Sequence, residues 1–301
     1  MMRTIWISLL ALAACGDNDL VTAPVSPMPS APVEGVQAGR VPQPACMTRY
    51  SLGGRAPLEC RLSLVDGDAT HYITTCTIDP SYVGLNYYLP PVTDEIQLTP
   101  SGMLQHEVTQ FLGSVSDNYQ DATYTYDDSG QMIEALAVDR NGVTTFDSVV
   151  TQRSADGQPA AIAITESPLE FEGITYPATA HRSVDLTYDS NGRLIESVDS
   201  FQPSGTIFFD TSITYDDAAL RRAYADYSDL QALVPDAGPP GTLHAFDILD
   251  ANGNVLERGS DDGDGDASTV FIYDDQDRVI EVSTSDPVFP SQTVDYIYDC
   301  P

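Results

Sequence analysis

The sequence predicts an all-β fold, built as an antiparallel meander of repeated β-hairpins. Two observations lead to this prediction. Short runs of alternating apolar and polar residues recur along most of the chain, which is the period-two pattern of strands with one buried face. Between many pairs of these runs stands an Asp followed three residues later by a Gly, a composition typical of tight hairpin turns.

The hairpins share a recurring unit that reads strand, Asp, two residues, Gly, strand. Its clearest copies span residues 124–134, 186–196, 246–257 and 271–281, with weaker copies at 96–104, 149–158 and 213–219 and a half copy at 296–299. In the copy at 271–281, Asp277 stands where Gly is expected. Successive turns are about 24 to 35 residues apart, so each interval has room for two strands.

The unit has the chemistry of a hairpin turn. We expect its Asp side chain to accept hydrogen bonds from backbone N–H groups, and its Gly to take the left-handed conformation of a type I turn with a G1 bulge. Alternation around the turn places aromatic and aliphatic residues, such as Tyr124 and Tyr126, on one face of the sheet and mainly Thr, Asp or Glu on the other.

The stretch Tyr188-Asp189-Ser190-Asn191-Gly192-Arg193-Leu194 resembles the YD repeats of the RHS family. In that family, many copies coil into a long β-sheet that closes as a hollow shell around a toxin or forms part of a cell-surface protein. The resemblance covers roughly residues 96–299. It implies the same sheet geometry here, and with so few copies we expect an open sheet or a partly closed barrel without enclosed cargo.

One interval departs from the repeat. From Asp216 to Leu233, apolar residues recur at helical spacing after an acidic start, and Pro235 follows. This pattern predicts a short helix near residues 217–233, covering one end of the sheet. The alternative continues the hairpin from Leu220 to Tyr227.

Near its start the chain has a basic residue, Arg3, followed by a short apolar run, which indicates a signal peptide over residues 1–14. The end of this run, Leu12-Ala13-Ala14-Cys15, resembles the lipobox of bacterial lipoproteins. The resemblance implies cleavage before Cys15, lipid attachment to its thiol, and a membrane partner reached through that lipid. The expected location is the bacterial cell envelope, on the outer membrane and facing the periplasm or the surface. The alternative is an ordinary signal peptide that contains a Cys.

Residues 15–44 are rich in Pro and Ala without any strand or helix pattern, which predicts a lipidated, semi-extended tether. We expect one β-repeat domain over residues 45–301, with disulfide-bearing hairpins at 45–92 and the repeats at 93–301.

Four further cysteines predict two disulfides in an oxidising compartment. Cys60 and Cys76 flank a strand, turn, strand pattern, and a turn centred on Asp68 would place them directly opposite each other. We therefore expect Cys60 to pair with Cys76, which leaves Cys46 to pair with Cys300. Other pairings of the four remain open.

The formal charge is −32, from 45 acidic and 13 basic residues. All the basic residues are Arg, mostly scattered singly, so nucleic acid is excluded as a partner. The densest acidic run includes Asp262, Asp264 and Asp266, carboxylates that suit a structural calcium ion. The alternative is a solvated turn between two strands, and we expect no other cofactor.

No catalytic motif is present, and the four His residues show no ligand spacing. We therefore expect no enzyme activity. The leading hypothesis is a non-enzymatic cell-envelope lipoprotein that acts as a binding or structural scaffold for a protein or glycan ligand. The alternatives are a secreted polymer or glycan hydrolase and a calcium-dependent surface adhesion module. The many Tyr residues favour packing of the sheet over an exposed carbohydrate-stacking surface.

Overall fold

A computed structural model shows an all-β protein. It describes residues 43–52, 58–77, 92–110, 119–167, 169–171, 174–176, 179–228, 241–260, 267–285 and 291–298. Within these ranges the regular secondary structure consists of β-strands. None of the described residues belongs to a helix long and apolar enough to cross a membrane.

The strands follow one another along the chain with short gaps. Their bounds are β1 (Met47–Leu52), β2 (Leu58–Val65), β3 (Asp68–Thr77), β4 (Thr93–Leu98), β5 (Leu104–Gln110), β6 (Tyr119–Tyr126), β7 (Met132–Val138), β8 (Thr144–Arg153), β9 (Pro159–Glu166), β10 (Leu169–Phe171), β11 (Ile174–Tyr176), β12 (Ala180–Tyr188), β13 (Leu194–Phe201), β14 (Thr206–Asp216), β15 (Arg221–Ser228), β16 (Gly241–Leu249), β17 (Val255–Ser260), β18 (Ser268–Tyr273), β19 (Val279–Ser285) and β20 (Gln292–Ile297).

Eighteen of these strands form one sheet that closes on itself. Each pairs antiparallel with its neighbours in the chain, and β9 pairs with β12 across the small β10–β11 hairpin. The circle is completed by β1, which pairs with β2 on one side and with β20 on the other. The predicted meander is confirmed, but the expected open or partly closed sheet is wrong. The strands before the repeats, β1 to β3, supply the part of the circumference that the repeats lack.

The repeat turns lie together at one end of the barrel, which we name the turn rim. It holds the turns that end β2, β4, β6, β8, β12, β14, β16 and β18. Their predicted left-handed residues are confirmed by φ angles of +84° at Gly102, +81° at Gly130 and +57° at Asp277. The opposite end, the loop rim, holds mostly longer connections. A tight turn there around Gly142, at φ +75°, was not predicted.

The turn chemistry is also confirmed. In the first clear copy, the Asp127 carboxylate accepts from the backbone N–H of Ser129 and of Gln131, both at 2.9 Å. Asp189 accepts in the same way from Asn191 and Arg193, at 2.8 and 2.9 Å. The hydrogen bond from the Ser129 hydroxyl and those from the backbone lower the pKa of Asp127. These carboxylates are therefore ionised parts of the turns.

The predicted helix near residues 217–233 is wrong where the structure describes it. Asp216 pairs with Arg221 across a four-residue turn whose last residue, Leu220, has a φ of +50°. Strand β15 then runs to Ser228, and the hairpin alternative is the correct one; residues 229–233 lie outside the described ranges. Helical spacing is overridden because Arg222 and Tyr224 find partners on the inner face of the sheet.

The inner face of the barrel is the buried one. Because side chains alternate along a strand and paired residues share a face, the registers divide the wall into an inner and an outer set. The larger buried cluster joins β9, β12, β13 and β14 and contains Ile162, Ile164, Val184, Leu186, Leu194 and Ile213. A second cluster joins Tyr72, Ile96 and Leu104 on β3, β4 and β5.

Cys60 and Cys76 form the predicted disulfide. They are direct cross-strand partners on the inner face, 1% and 6% exposed. The hairpin turns at Asp66-Gly67 rather than at Asp68, and an irregularity after Leu64 restores the cysteine register. Cys46 is also disulfide-bonded. Cys300 lies outside the described residues, so its pairing with Cys46 stays a prediction.

Candidate functional site

The Tyr that precedes the turn Asp in the repeat bonds the barrel wall together. In five copies its hydroxyl donates to the backbone oxygen of the first residue of the preceding strand in the sheet. The pairs are Tyr126 to Leu104 (2.6 Å), Tyr188 to Pro159 (2.7 Å), Tyr215 to Leu194 (2.8 Å), Tyr273 to Val255 (2.9 Å) and Tyr298 to Val279 (2.9 Å). These tyrosines pack against the sheet, which is the role that the sequence pattern favoured over an exposed stacking surface.

Arginines reinforce the same contacts. Arg193 is held by Asp189 of its own turn and lies 4.3 Å from the ring centre of Tyr215 in the next copy. Arg278 is held by Asp274 and lies 4.4 Å from the ring of Tyr298. In the copy at 149–158, which lacks the Tyr, Arg153 takes its place and donates to the Met132 oxygen at 3.0 Å. In these copies the repeat therefore binds the preceding strand of the sheet.

Replacing Tyr188 with Phe is expected to lower the free energy of unfolding by about 1 kcal/mol, because the Pro159 oxygen loses its donor. Urea unfolding followed by circular dichroism measures the change. Tyr227→Phe is the matched control, because Tyr227 lies on the outer face, opposite Asp210 and Thr242. Equal losses in both variants would contradict a specific role for the Tyr188 hydroxyl.

Three ionic clusters lie on the inner face, where apolar residues would be expected. The first centres on Asp247, which is 0% exposed. It accepts from Arg222 at 2.7 Å, from Arg258 at 2.7 and 3.2 Å, and from the Tyr224 hydroxyl at 2.6 Å. Burial opposes its ionisation, but the hydrogen bonds and charge of Arg258, with the charge of Arg222, outweigh burial and lower the pKa of Asp247.

The second cluster joins the ends of β9, β12 and β13 near the loop rim. Arg182, 6% exposed, donates to Asp199 and, at 3.1 Å, to Glu166. Its guanidinium also lies 5.5 Å from the ring centre of Phe208. Burial raises the pKa of Asp199 to about 6, although the charge of Arg182 opposes this. The cluster holds two carboxyls for one guanidinium.

The third cluster is a pair of carboxyls on β4 and β5. Asp94 pairs with Thr109 and Ile96 pairs with Glu107, so Asp94 and Glu107 are diagonal neighbours on the inner face of β4 and β5. At this position the two carboxyls are close enough to share a hydrogen bond. Thr109 donates to Asp94 at 3.3 Å, and the Tyr124 hydroxyl donates to Glu107 at 3.2 Å. Burial, followed by the charge of Glu107, raises the pKa of Asp94 to about 7. This pair is the arrangement in the described barrel best suited to a function that depends on charge.

The Asp94–Glu107 pair does not have the spacing of a glycosidase site. A glycosidase holds its two carboxyls about 5 to 9.5 Å apart so that substrate or water fits between them, whereas Asp94 and Glu107 are in direct contact. No cluster of three or more His, Cys, Asp or Glu residues suited to a metal ion occurs among the residues described here. The contact between Asp94 and Glu107 therefore differs from both kinds of site.

The structure describes only some of the candidate site residues that the sequence indicated. Cys15, Cys300 and the acidic run with Asp262, Asp264 and Asp266 lie outside the described ranges, so lipidation and calcium binding stay predictions. Two of the His residues lie on the outer face beside carboxylates: His71 is 2.7 Å from Glu95, and His106 is 2.8 Å from Asp121.

Sequence reasoning missed Asp94, Glu107 and Asp247. A signal existed for two of them, because Asp94 alternates with Ile96 and Leu98, and Asp247 with Leu249. Glu107 alternates with Gln105 and Thr109, so its strand gave no such signal. A charged residue among the inward-facing apolar positions of a strand indicates either that the strand was assigned the wrong register or that the charge is buried.

Comparison with known proteins assigns no family. No family model matches the sequence, and no curated protein does. A porin-like protein from Bacteroides uniformis is similar over 85% of this chain and 98% of its own, at 10% identity and a TM-score of 0.45. A porin-like protein from Bacteroides vulgatus is similar over 86% of this chain and 100% of its own, at 11% identity and a TM-score of 0.30. The Photorhabdus luminescens Tc holotoxin pore is similar over 76% of this chain and 12% of its own, at 14% identity and a TM-score of 0.34. Such low similarity assigns no function.

Proposed function

We propose that this protein is a non-enzymatic, lipid-anchored barrel of the bacterial cell envelope that serves as a binding or structural scaffold. The sequence supports the anchor through the signal peptide and the lipobox-like Leu12-Ala13-Ala14-Cys15. The repeats support an RHS-like construction, because in five copies the Tyr before the turn donates to the first residue of the preceding strand.

The observation that carries the proposal is the set of polar side-chain pairs on the outer face of the barrel. A barrel that crosses a bilayer needs an outward apolar band about 25 Å tall. Here polar pairs such as His71 with Glu95 and Arg49 with Glu59 interrupt the outer face within the strands. Such a surface is more stable in water than in lipid. Membrane attachment would therefore depend on the chain before β1.

The start of β1 defines the rim at which an anchor would be attached. β1 begins beside the end of β20, with Met47 opposite Ile297, at the turn rim. In the proposed anchored form the tether joins the barrel at the turn rim, and the loop rim is the end farther from the point of attachment. We propose that a protein or glycan ligand is met on the side of the loop rim.

Metabolic labelling with a palmitate analogue tests the anchor. Wild-type protein expressed in a bacterial host is expected to incorporate the label and to partition with membranes, whereas Cys15→Ala does neither. Asn18→Ala is the matched control, because it changes the neighbourhood of Cys15 and keeps its thiol. A wild-type protein that is exported without label would contradict the anchor and leave only an ordinary signal peptide.

A further inference from the structure

The contact between Asp94 and Glu107 requires a proton. Two ionised carboxylates have no donor between them, so a hydrogen bond joining them needs one of the two to be protonated. Their other partners, Thr109 and the hydroxyl of Tyr124, are neutral donors. Neither supplies a positive charge that would allow both carboxyls to ionise at low cost.

The groups around the pair do not supply that charge either. The β1 and β3 walls present Tyr50 and Tyr72 toward it, and β6 presents Tyr124. Burial, and the charge of Asp94 or Glu107 beside it, raises the pKa of each of these tyrosines. Among the described residues, the basic side chain that lowers the pKa of Glu107 is His106, which lies on the outer face against Asp121.

We propose that the Asp94–Glu107 pair makes the wall formed by β4, β5 and β6 responsive to proton concentration. With one proton shared between the carboxyls, the three strands pack as the structure shows. When that proton leaves, two negative charges face each other on a confined inner surface, and this part of the wall opens locally. The device is independent of the lipid anchor, because it depends only on groups inside the barrel.

The expected window lies near neutrality. Burial raises the pKa of Asp94 to about 7 and also raises that of Glu107, whereas an unfolded Asp titrates near about 3.9. A folded state that binds the proton more tightly is favoured at low pH and loses that advantage as pH rises between these two values. Above about pH 7 the destabilisation is complete.

Hydrogen–deuterium exchange on the full chain tests the proposal. Samples at about pH 5.5 and about pH 8.5 are compared after division by the intrinsic exchange rate at each pH. The open population of β4 to β6 is expected to rise at least about tenfold at the higher pH, with a smaller change in β18 and β19. Asp94→Asn is expected to remove the rise, and Glu107→Gln is a second variant should the first fold poorly.

Asp185→Asn is the matched control, because Asp185 is exposed on β12. This variant should retain the wild-type response of β4 to β6. A rise that persists in both inner variants, or that is equal in all strands, would overturn the proposal. Loss of the response in Asp94→Asn or Glu107→Gln, with the control unchanged, would support it.

Discussion

Replacing Asp247 with Asn is expected to lower the free energy of unfolding by about 3 to 5 kcal/mol. The carboxylate is fully buried and compensates Arg222, itself 4% exposed, and Arg258. An amide removes the negative charge that faces both guanidinium groups on the inner face. Chemical denaturation at pH 7 measures the loss.

The same contact predicts an acid-side effect. Because the pKa of Asp247 is lower in the folded barrel than in the unfolded chain, its contribution to stability is present above about pH 4. That contribution is lost as pH falls through the lowered pKa. The difference between wild type and Asp247→Asn should therefore shrink in strong acid. Asp185→Asn again serves as the control, and a comparable loss there would refute a special role for the buried carboxylate.

Replacing both Cys60 and Cys76 with Ala is the second large change. The bond closes a chain segment with a sequence separation of 16, and its removal should cost about 3 kcal/mol in the entropic model. Urea unfolding under non-reducing conditions measures this, because the disulfide at Cys46 then stays intact in both proteins.

Accessibility supplies the control for the disulfide. Since Cys60 and Cys76 are 1% and 6% exposed, a thiol reductant should leave their bond intact in the folded barrel and cleave it rapidly in urea. Alkylation of the released thiols and mass spectrometry of the peptides measure the cleavage. Rapid cleavage without denaturant would contradict the inward placement of this bond.

Local features of the fold were predictable from the sequence. The Asp and Gly of each turn determine hairpin geometry within five residues, so positions such as Asp127 and Gly130 identify turns without tertiary information. Cys60 and Cys76 could be paired because opposition across a hairpin is also local. In both cases the decisive interactions join residues close in sequence.

Closure of the barrel and the strand at 221–228 were not predictable in this way. Closure depends on β1 meeting β20, strands separated by nearly the whole chain, and no local pattern encodes that contact. The run around Arg222 and Ala223 satisfies both helical and alternating spacing. Its choice of strand depends on Asp247 from β16 and on the neighbouring Ile213, which only the assembled wall provides.

The tyrosine-to-carbonyl bond limits how the circumference of such a barrel can change. A copy with this bond contributes one turn, one donor such as Tyr215 and one acceptor such as the Leu194 oxygen. Duplicating or deleting a whole copy therefore preserves the remaining bonds and alters the barrel by two strands. A single added strand would bring the closing strands together in parallel, which the antiparallel seam of β1 with β20 does not accommodate. Wider and narrower relatives should differ by even numbers of strands.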